Sequence, residues 1–217
     1  MRRLGNVKIK WTPAFAYAIG LIATDGNLSP DGRHINLTSK DEEQILNFRS
    51  CLDLKNKVGR KGRGGTTIKK YFVLQFGDRN FYDFLLGIGL SPAKSKTLTN
   101  LSIPRIFFAD FFRGCIDGDG SIGYYRHPES RHPQLRLRLC SASRDFLAWI
   151  KSEIGTILGI KTGWIENKRS GVFVLIYAKA DSLVLLKFLY KNIKTGQQLN
   201  RKYEIAKKFL GRVAELV

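Results

Sequence analysis

The sequence has few cysteines and histidines, the residues that form the disulfides of small secreted domains or bind zinc. Its three cysteines, Cys51, Cys115 and Cys140, are odd in number and show no Cys-x-x-Cys spacing. We therefore expect neither a disulfide framework nor a zinc finger, and a reducing compartment fits. Two of the three histidines, His127 and His132, flank a polar, proline-containing stretch that predicts a loop, so a zinc cluster is not expected.

Long apolar runs are also missing. The chain contains no run of 18 apolar residues, and its N-terminus carries Arg2 and Arg3 without the apolar core of a secretory signal. We expect a soluble, intracellular protein with no membrane partner.

Acidic residues are scarce beside basic ones. Lysine and arginine number 37 against 18 aspartates and glutamates, which gives a formal net charge of +19 and a pI near 10.1. The excess is shared by both halves of the chain, and soluble domains usually carry a net charge of magnitude about 2 to 8. A polyanionic partner such as nucleic acid is therefore indicated for both halves.

Two similar segments stand in the two halves, at residues 18–26 (AIGLIATDG) and 112–120 (FRGCIDGDG). Each is an apolar, helix-like run that ends in a carboxylate followed by glycine. A fold with two-fold pseudosymmetry would bring Asp25 and Asp119 together. Paired carboxylates favour a divalent metal and phosphate chemistry.

The same order of elements follows each segment. Alternating apolar and polar residues predict strands at 34–38 and 134–139, and a serine begins an amphipathic helix at 39 and at 143. Two more strands are expected in each half, at 57–60 with 66–76 and at 161–167 with 172–178, and a last helix at 80–89 and at 181–190. The prediction is an α+β fold of two αββαββα halves, residues 1–101 and 102–217, with the extra loop at 126–133 in the second half. The motif helices are expected to start at Thr12-Pro13 and at Ser102-Ile103-Pro104.

On these residues the chain resembles the LAGLIDADG homing endonucleases, in the single-chain form with two motif copies. The resemblance covers nearly the whole length and also includes the segments 111–114 (FFRG) and 199–203 (LNRKY). It implies antiparallel sheets that form a DNA-binding saddle. It further implies a monomer that cuts double-stranded DNA at a long asymmetric target, hydrolysing one phosphodiester on each strand across the minor groove and leaving short 3′ overhangs.

The resemblance also implies the metal site. Asp25 and Asp119 are its expected ligands, helped by the backbone carbonyls of Thr24 and Gly118. Mg²⁺ or Mn²⁺ is expected to support cleavage, and Ca²⁺ to bind without supporting it. Asp117 is left out of the site because the first motif has Ala23 at the equivalent position.

Small residues spaced four apart predict close packing of the two motif helices. Gly20 and Thr24 lie on one face of the first helix, and Gly114 and Gly118 on the same face of the second. The glycines that follow the acids, Gly26 and Gly120, are expected to end the helices in the left-handed conformation.

Family members place lysines or glutamines near the metals. The candidates are Lys40, Lys94, Lys96 and Lys202, and the predicted catalytic set joins Lys40, Lys96 and Lys202 to the two acids, with Lys40 favoured for its position just after a strand. Ser39 occupies a place where glutamine is common in the family. A solvent-exposed role for Lys40 at a helix start stays open.

DNA contacts are expected from the polar faces of the strands and from the basic hairpin tips. Arginine and lysine pair with guanine, asparagine and glutamine with adenine, and the tips contact phosphates. The predicted set is His34, Asn36, Thr38, Arg60, Lys61, Arg63, Lys69, Tyr71, Gln75, Tyr125, Gln134, Arg136, Arg138, Lys168 and Arg169.

Two alternatives stay open. One is a maturase that binds host intron RNA, since a basic saddle suits structured RNA as well. The other is a non-catalytic DNA-binding regulator on the same scaffold. An unrelated structural or ribosomal protein would explain the charge but not the paired motifs. The expected location is a bacterial or archaeal cytoplasm, a mitochondrion or a chloroplast.

Overall fold

A computed structural model describes residues 5–62, 70–126, 134–168 and 171–214 of the chain. Its first half contains α1 (Pro13–Thr24), β1 (Gly26–Leu28), β2 (His34–Ser39), α2 (Glu42–Cys51), β3 (Gly59–Lys61), β4 (Tyr71–Gly77) and α3 (Arg79–Gly87). The second half contains a short 3₁₀ helix (Arg105–Phe107), α4 (Phe108–Asp119), β5 (Gly120–Tyr125), β6 (Gln134–Ser141), α5 (Arg144–Leu158), β7 (Trp164–Asn167), β8 (Phe173–Tyr177), α6 (Lys179–Tyr190) and α7 (Asn200–Ala214).

Each half forms one antiparallel four-stranded sheet. The strand orders are β1-β2-β4-β3 and β5-β6-β8-β7, so the second sheet repeats the topology of the first. The predicted α+β fold with duplicated αββαββα halves is confirmed, and the structure adds α7 after the second half.

Alternation along the strands decides which face of each sheet packs on the helices. In β2, Ile35 and Leu37 are completely buried, while the residues between them are half-buried. In β6, Leu135, Leu137 and Leu139 are buried in the same way. The helices cover this apolar face, and the polar face of each sheet points away from them.

The two motif helices begin differently. Thr12 caps α1, because its side chain accepts a hydrogen bond of 3.1 Å from the amide of Phe15. The predicted start of α4 at Ser102-Ile103-Pro104 is wrong. Pro104 caps the 3₁₀ helix instead, and α4 begins at Phe108 without a side-chain cap.

Helix α7 was not predicted, although its sequence places Ala206 and Phe209 on one buried face at helical spacing. It packs on α6 and β5, where the Phe209 ring lies 4.5 Å from that of Tyr124. None of the helices within the described residues has the length and apolarity needed to cross a membrane. Apart from Arg126, the loop predicted at 126–133 lies outside the described residues, and so do His127 and His132.

Candidate active site and nucleic-acid interface

The motif helices α1 and α4 pack backbone against backbone. A Cβ atom added to Gly20 would lie 2.1 Å from the carbonyl oxygen of Phe111, and one added to Gly114 would lie 2.2 Å from that of Tyr17. A Cβ atom on Gly118 would lie 2.0 Å from Oγ1 of Thr24. The predicted close packing of the small residues is confirmed, and it brings the C-terminal ends of both helices side by side.

The glycines after the two acids are needed for space rather than for a left-handed backbone, so that prediction is wrong. Gly120 is extended, with φ −98° and ψ 169°, and Gly26 has no positive φ either. Strands β1 and β5 start at these glycines and turn back across the last helical turn. A Cβ atom on either would lie 2.6 Å from the Cα atom of Ile22 or Ile116.

Asp25 and Asp119 meet at these helix ends. Oδ2 of Asp25 accepts a hydrogen bond of 2.7 Å from Nε2 of the buried Gln44, and it lies 3.2 Å from where a Cβ atom of Gly118 would stand. Desolvation raises the pKa of Asp25. Desolvation and, after it, the charge of Asp25 raise the pKa of Asp119. The negative charge of Asp25 beside Asp119 makes this position favourable for a cation.

A buried lysine reaches the end of each motif helix. The ammonium group of Lys94 donates to the carbonyl oxygen of Gly26, and that of Lys202 donates to three carbonyl oxygens, those of Ile116 at 2.6 Å, Asp117 at 2.9 Å and Gly120 at 2.7 Å. Only 6% of the Lys94 surface and 4% of the Lys202 surface are exposed. Burial lowers the pKa of each lysine to about 8, although nearby carboxylates oppose the shift.

The two lysines come from positions that the sequence repeat does not relate. Lys94 follows Ala93, whose φ of 53° shapes the turn after α3, and Lys202 lies in the first turn of α7. The other two candidates are not buried. Lys40 is exposed, with its ammonium group 5.6 Å from the centre of the Tyr71 ring, and Lys96 is exposed and does not line the cavity described below.

Asp117 is completely buried and has other partners. Its Oδ2 atom accepts hydrogen bonds from the hydroxyl of Tyr17 at 2.9 Å and from the backbone amide of Leu199 at 2.8 Å. Burial raises the pKa of Asp117 to about 6. Asp117 therefore joins both motif helices to the start of α7, next to Lys202.

A cavity of about 870 Å³ opens over the polar face of the first sheet and is lined at its inner end by Asp25 and Gly118. Asn27, Asn36 and Gln75 pair across β1, β2 and β4, which gives a row of amide side chains. The predicted residues that line the cavity are Thr24, Asp25, Asn36, Thr38, Lys40, Lys61, Tyr71 and Gly118. Asn27, Gln44, Lys94 and Arg201 line it as well. Asn27 was missed because the three-residue strand β1 is too short to show alternation.

Three predicted contacts of the first half, His34, Arg60 and Gln75, do not line this cavity. His34 stands at the start of β2, where its ring Nδ1 atom is 2.5 Å from the Asp31 carboxylate. Arg60 packs its guanidinium 4.4 Å from the centre of the Phe72 ring. Since Phe72 pairs with Arg60 while Tyr71 pairs with Lys61, Arg60 lies on the face opposite the cavity.

The polar face of the second sheet carries arginines laid on aromatic rings. The guanidinium carbon of Arg138 lies 3.4 Å from the centre of the Tyr125 ring, and that of Arg136 lies 5.7 Å from the centre of the Trp164 ring. Gln134 pairs with Tyr125 at the end of the sheet. Elsewhere in this half, Lys168 forms an ion pair with Glu166. Three further predicted contacts, Arg63, Lys69 and Arg169, lie outside the described residues.

Comparison with solved structures identifies the fold. The chain is similar to the homing endonuclease I-SmaMI bound to an uncleaved DNA target with calcium ions, with a TM-score of 0.58 and 13% identity over 95% of this chain and 93% of that one. It is similar to mesophilic variants of the homing endonuclease I-DmoI, with a TM-score of 0.56 and 18% identity over 83% and 97%. The N-terminal LAGLIDADG domain of WhiA gives a TM-score of 0.55 and 17% identity over 90% and 94%.

These likenesses establish the fold. The structure has the LAGLIDADG fold, and the resemblance stated from the sequence is confirmed. No protein-family model matches the sequence, and no curated protein matches it in a sequence search.

Proposed function

We propose that this protein is a site-specific endonuclease for double-stranded DNA, a homing endonuclease that hydrolyses one phosphodiester on each strand across the minor groove and leaves short 3′ overhangs. One observation carries the proposal. The close packing of α1 and α4, the helix seam, brings Asp25 and Asp119 together, and a buried lysine reaches each helix end. A scaffold that only bound DNA would not need this cluster of desolvated charges.

The donor atoms at the helix ends fit a hard divalent cation. The described residues contain no group of three or more histidine, cysteine, aspartate or glutamate side chains that could hold a metal ion. The two carboxylates, with the backbone carbonyls of Thr24 and Gly118, offer oxygen alone. Mg²⁺ suits such a set because it takes one or two carboxylates and completes its shell with water and substrate phosphate.

Metal use by fold neighbours supports the same assignment. One I-DmoI structure contains DNA and manganese, and another contains its target DNA in the presence of magnesium. We therefore propose Mg²⁺ or Mn²⁺ as the cofactor, held by Asp25 and Asp119. Ca²⁺ would occupy the site without supporting cleavage.

When bound, the metal would supply an activated water and stabilise the charge that develops on the leaving oxygen. The residues of the chain place the DNA there. Lys94 and Lys202 bring positive charge to the two helix ends, and because their pKa values are about 8 they remain mainly protonated at neutral pH. They would offset the negative charge that accumulates on the phosphates during hydrolysis.

The polar faces of the two sheets would bind the DNA on either side of the cut. Asn36 and Gln75 offer amides suited to adenine, while Arg136 and Arg138 offer guanidinium groups suited to guanine. Lys40, Lys61 and Arg201 surround the cavity and would contact phosphates. Since the two motif helices already pack against each other within one chain, we propose that the protein acts as an intracellular monomer.

Selection from a randomised duplex library tests the function. The wild type and an Asp25→Asn, Asp119→Asn double variant are incubated with the library in Mg²⁺ or Ca²⁺, and cut products are sequenced. We expect one asymmetric target with staggered ends, cut only by the wild type in Mg²⁺. Cleavage by the double variant, or no cleavage by the wild type, would overturn the proposal.

The alternative is a non-catalytic DNA-binding regulator. The similarity to the N-terminal LAGLIDADG domain of WhiA, as well as to homing endonucleases, keeps this alternative open. Specific capture of one duplex in both ions, without a cut, would favour it. Failure to capture any duplex would direct the search to intron RNA and a maturase role.

A further inference from the structure

The surroundings of the two acids differ between the halves, although the backbone repeats. Gly26 pairs with Leu37 in the first sheet, and Gly120 pairs with Leu139 in the second. Two residues further on stand Ser39 and Ser141. Ser39 accepts a hydrogen bond of 3.1 Å from the amide of Asp41, and Ser141 accepts one of the same length from the amide of Ser143.

This register identifies the counterpart of Gln44. Asp41 precedes α2 as its N-cap residue, and Ser143 precedes α5 in the same role. The third residue after each is Gln44 in the first half and Phe146 in the second. Both side chains are buried, with 2% and 1% exposed.

Only the first half therefore holds its acid with an amide. Ser39 donates a hydrogen bond of 2.9 Å to Oε1 of Gln44, and Nε2 of Gln44 donates one of 2.7 Å to Oδ2 of Asp25. Phe146 instead packs its ring 5.8 Å from that of Trp149. No described residue donates a hydrogen bond to the carboxylate of Asp119.

We infer that Gln44 is a positioning residue for Asp25, and that its replacement by Phe146 in the second half makes the two strands of the target unequal substrates. This inference rests on the nuclease function proposed above. Ser39 fixes the Gln44 amide, the amide fixes one carboxylate oxygen, and the other oxygen is left for a ligand. Asp119 must be oriented by its ligand alone, so one strand is hydrolysed before the other.

Strand-resolved kinetics on the selected target give the first test. We expect the wild type to convert supercoiled plasmid to a nicked circle before the linear form appears. Gln44→Met should slow the faster strand by about 10- to 100-fold, the usual effect of losing a residue that orients a ligand, and should remove most of the strand preference. The matched control, Phe146→Met, places the same side chain at the equivalent position and should leave the ratio of the two rates unchanged.

Equal strand rates in the wild type, or equal slowing of both strands by Gln44→Met, would overturn the inference. If the wild type cuts nothing, the proposed nuclease function is the part that has failed.

A second readout does not depend on cleavage. The side-chain amide of Gln44 is followed by ¹⁵N NMR in the protein without metal and during titration with Ca²⁺. We expect its resonance to move in the Asp25→Asn variant and to stay in place in Asp119→Asn. If the resonance did not shift in Asp25→Asn, Gln44 would not hold that carboxylate and the inference would be contradicted.

Discussion

Single buried charges define the candidate centre at the residue scale. Lys94 and Lys202 lie in the protein with almost no exposed surface, and both approach the acids through backbone carbonyls rather than through direct ion pairs. Burying a charge is costly unless ion pairs or hydrogen bonds offset the lost hydration. The negative ends of the two motif helices provide part of that compensation.

The pH dependence of stability reports this burial. The pKa of Lys202 is about 8 in the folded chain against 10.5 for an ordinary lysine, so between these values the unfolded chain binds more protons and stability rises with pH. In Lys202→Met this rise in the free energy of unfolding, on the order of 2 kcal/mol between pH 8 and 10.5, should disappear. Urea unfolding of the metal-free protein at both ends of the window measures it. The exposed Lys96→Met serves as the control and should keep the wild-type dependence.

Asp117 gives a second prediction. In Asp117→Ala the hydroxyl of Tyr17 and the amide of Leu199 lose their acceptor, and each buried donor without a partner costs about 1–3 kcal/mol. Alanine already occupies the equivalent position, Ala23, so the change should cause no steric strain. We expect a loss of about 2–4 kcal/mol in the free energy of unfolding. An unchanged urea midpoint would show that Asp117 does not anchor α7.

At the scale of secondary-structure elements, the close packing of α1 and α4 limits the size of the side chains between them. A Cβ atom at Gly114 would lie 2.2 Å from a backbone oxygen that cannot move alone, so α1 and α4 would have to separate. Gly114→Ala should therefore destabilise the protein by about 1–3 kcal/mol or more, as overpacking does. In contrast, Gly211 lies in α7 with nothing within 4 Å of an added Cβ atom. Gly211→Ala should stabilise by about 0.5–1 kcal/mol.

The contrast between these two variants is the measurement. Thermal or urea unfolding should move their midpoints in opposite directions. Stabilisation by Gly114→Ala would contradict the packing of the seam.

Prediction from sequence succeeded at this scale where a local pattern repeats. Alternation in β2 and β6 and the paired motifs were enough to predict two sheets and a helix seam. Short strands such as β1 carry no detectable period. The reason for the glycine at position 26 also differs from the prediction. Its Cβ atom is excluded by the backbone at Ile22, and its own φ angle is not positive.

The sequence pointed to part of the candidate site because the motif is a repeated local pattern. It missed other parts because they depend on contacts between residues that are distant in the sequence. The duplicated motif pointed to Asp25 and Asp119. Gln44, 19 residues from Asp25, joins the site only through a tertiary contact, and Lys94, 68 residues from Gly26, was named as a candidate from the family resemblance but was not in the predicted catalytic set. No local period signals such partners.

For the whole molecule, the net charge of +19 should dominate the salt dependence of the proposed DNA binding. Binding should weaken with salt as counterions are released, with a slope of about −0.9 for each phosphate neutralised. Lys61→Ala should weaken all sequences alike and reduce that slope by about 1. Asn36→Ala should keep the slope and relax the preference at one base pair, at a cost of about 1–3 kcal/mol for the preferred base.

Fluorescence anisotropy in Ca²⁺ over a range of salt concentrations separates these effects. If Asn36→Ala weakened all sequences equally and altered the slope, the first sheet would be a phosphate surface rather than a reading surface.

We propose that the two motif acids form one centre that cuts both strands. The most direct test compares the wild type, Asp25→Asn, Asp119→Asn and the double variant on the selected target. Double-strand cleavage is measured in Mg²⁺, and the dissociation constant is measured in Ca²⁺ as a check on binding. We predict that every variant still binds the target specifically and that none makes the linear product at the wild-type rate, with the double variant inactive. If the double variant cleaved the target at the wild-type rate, the chemistry would lie elsewhere and the proposed role of the two acids would be contradicted.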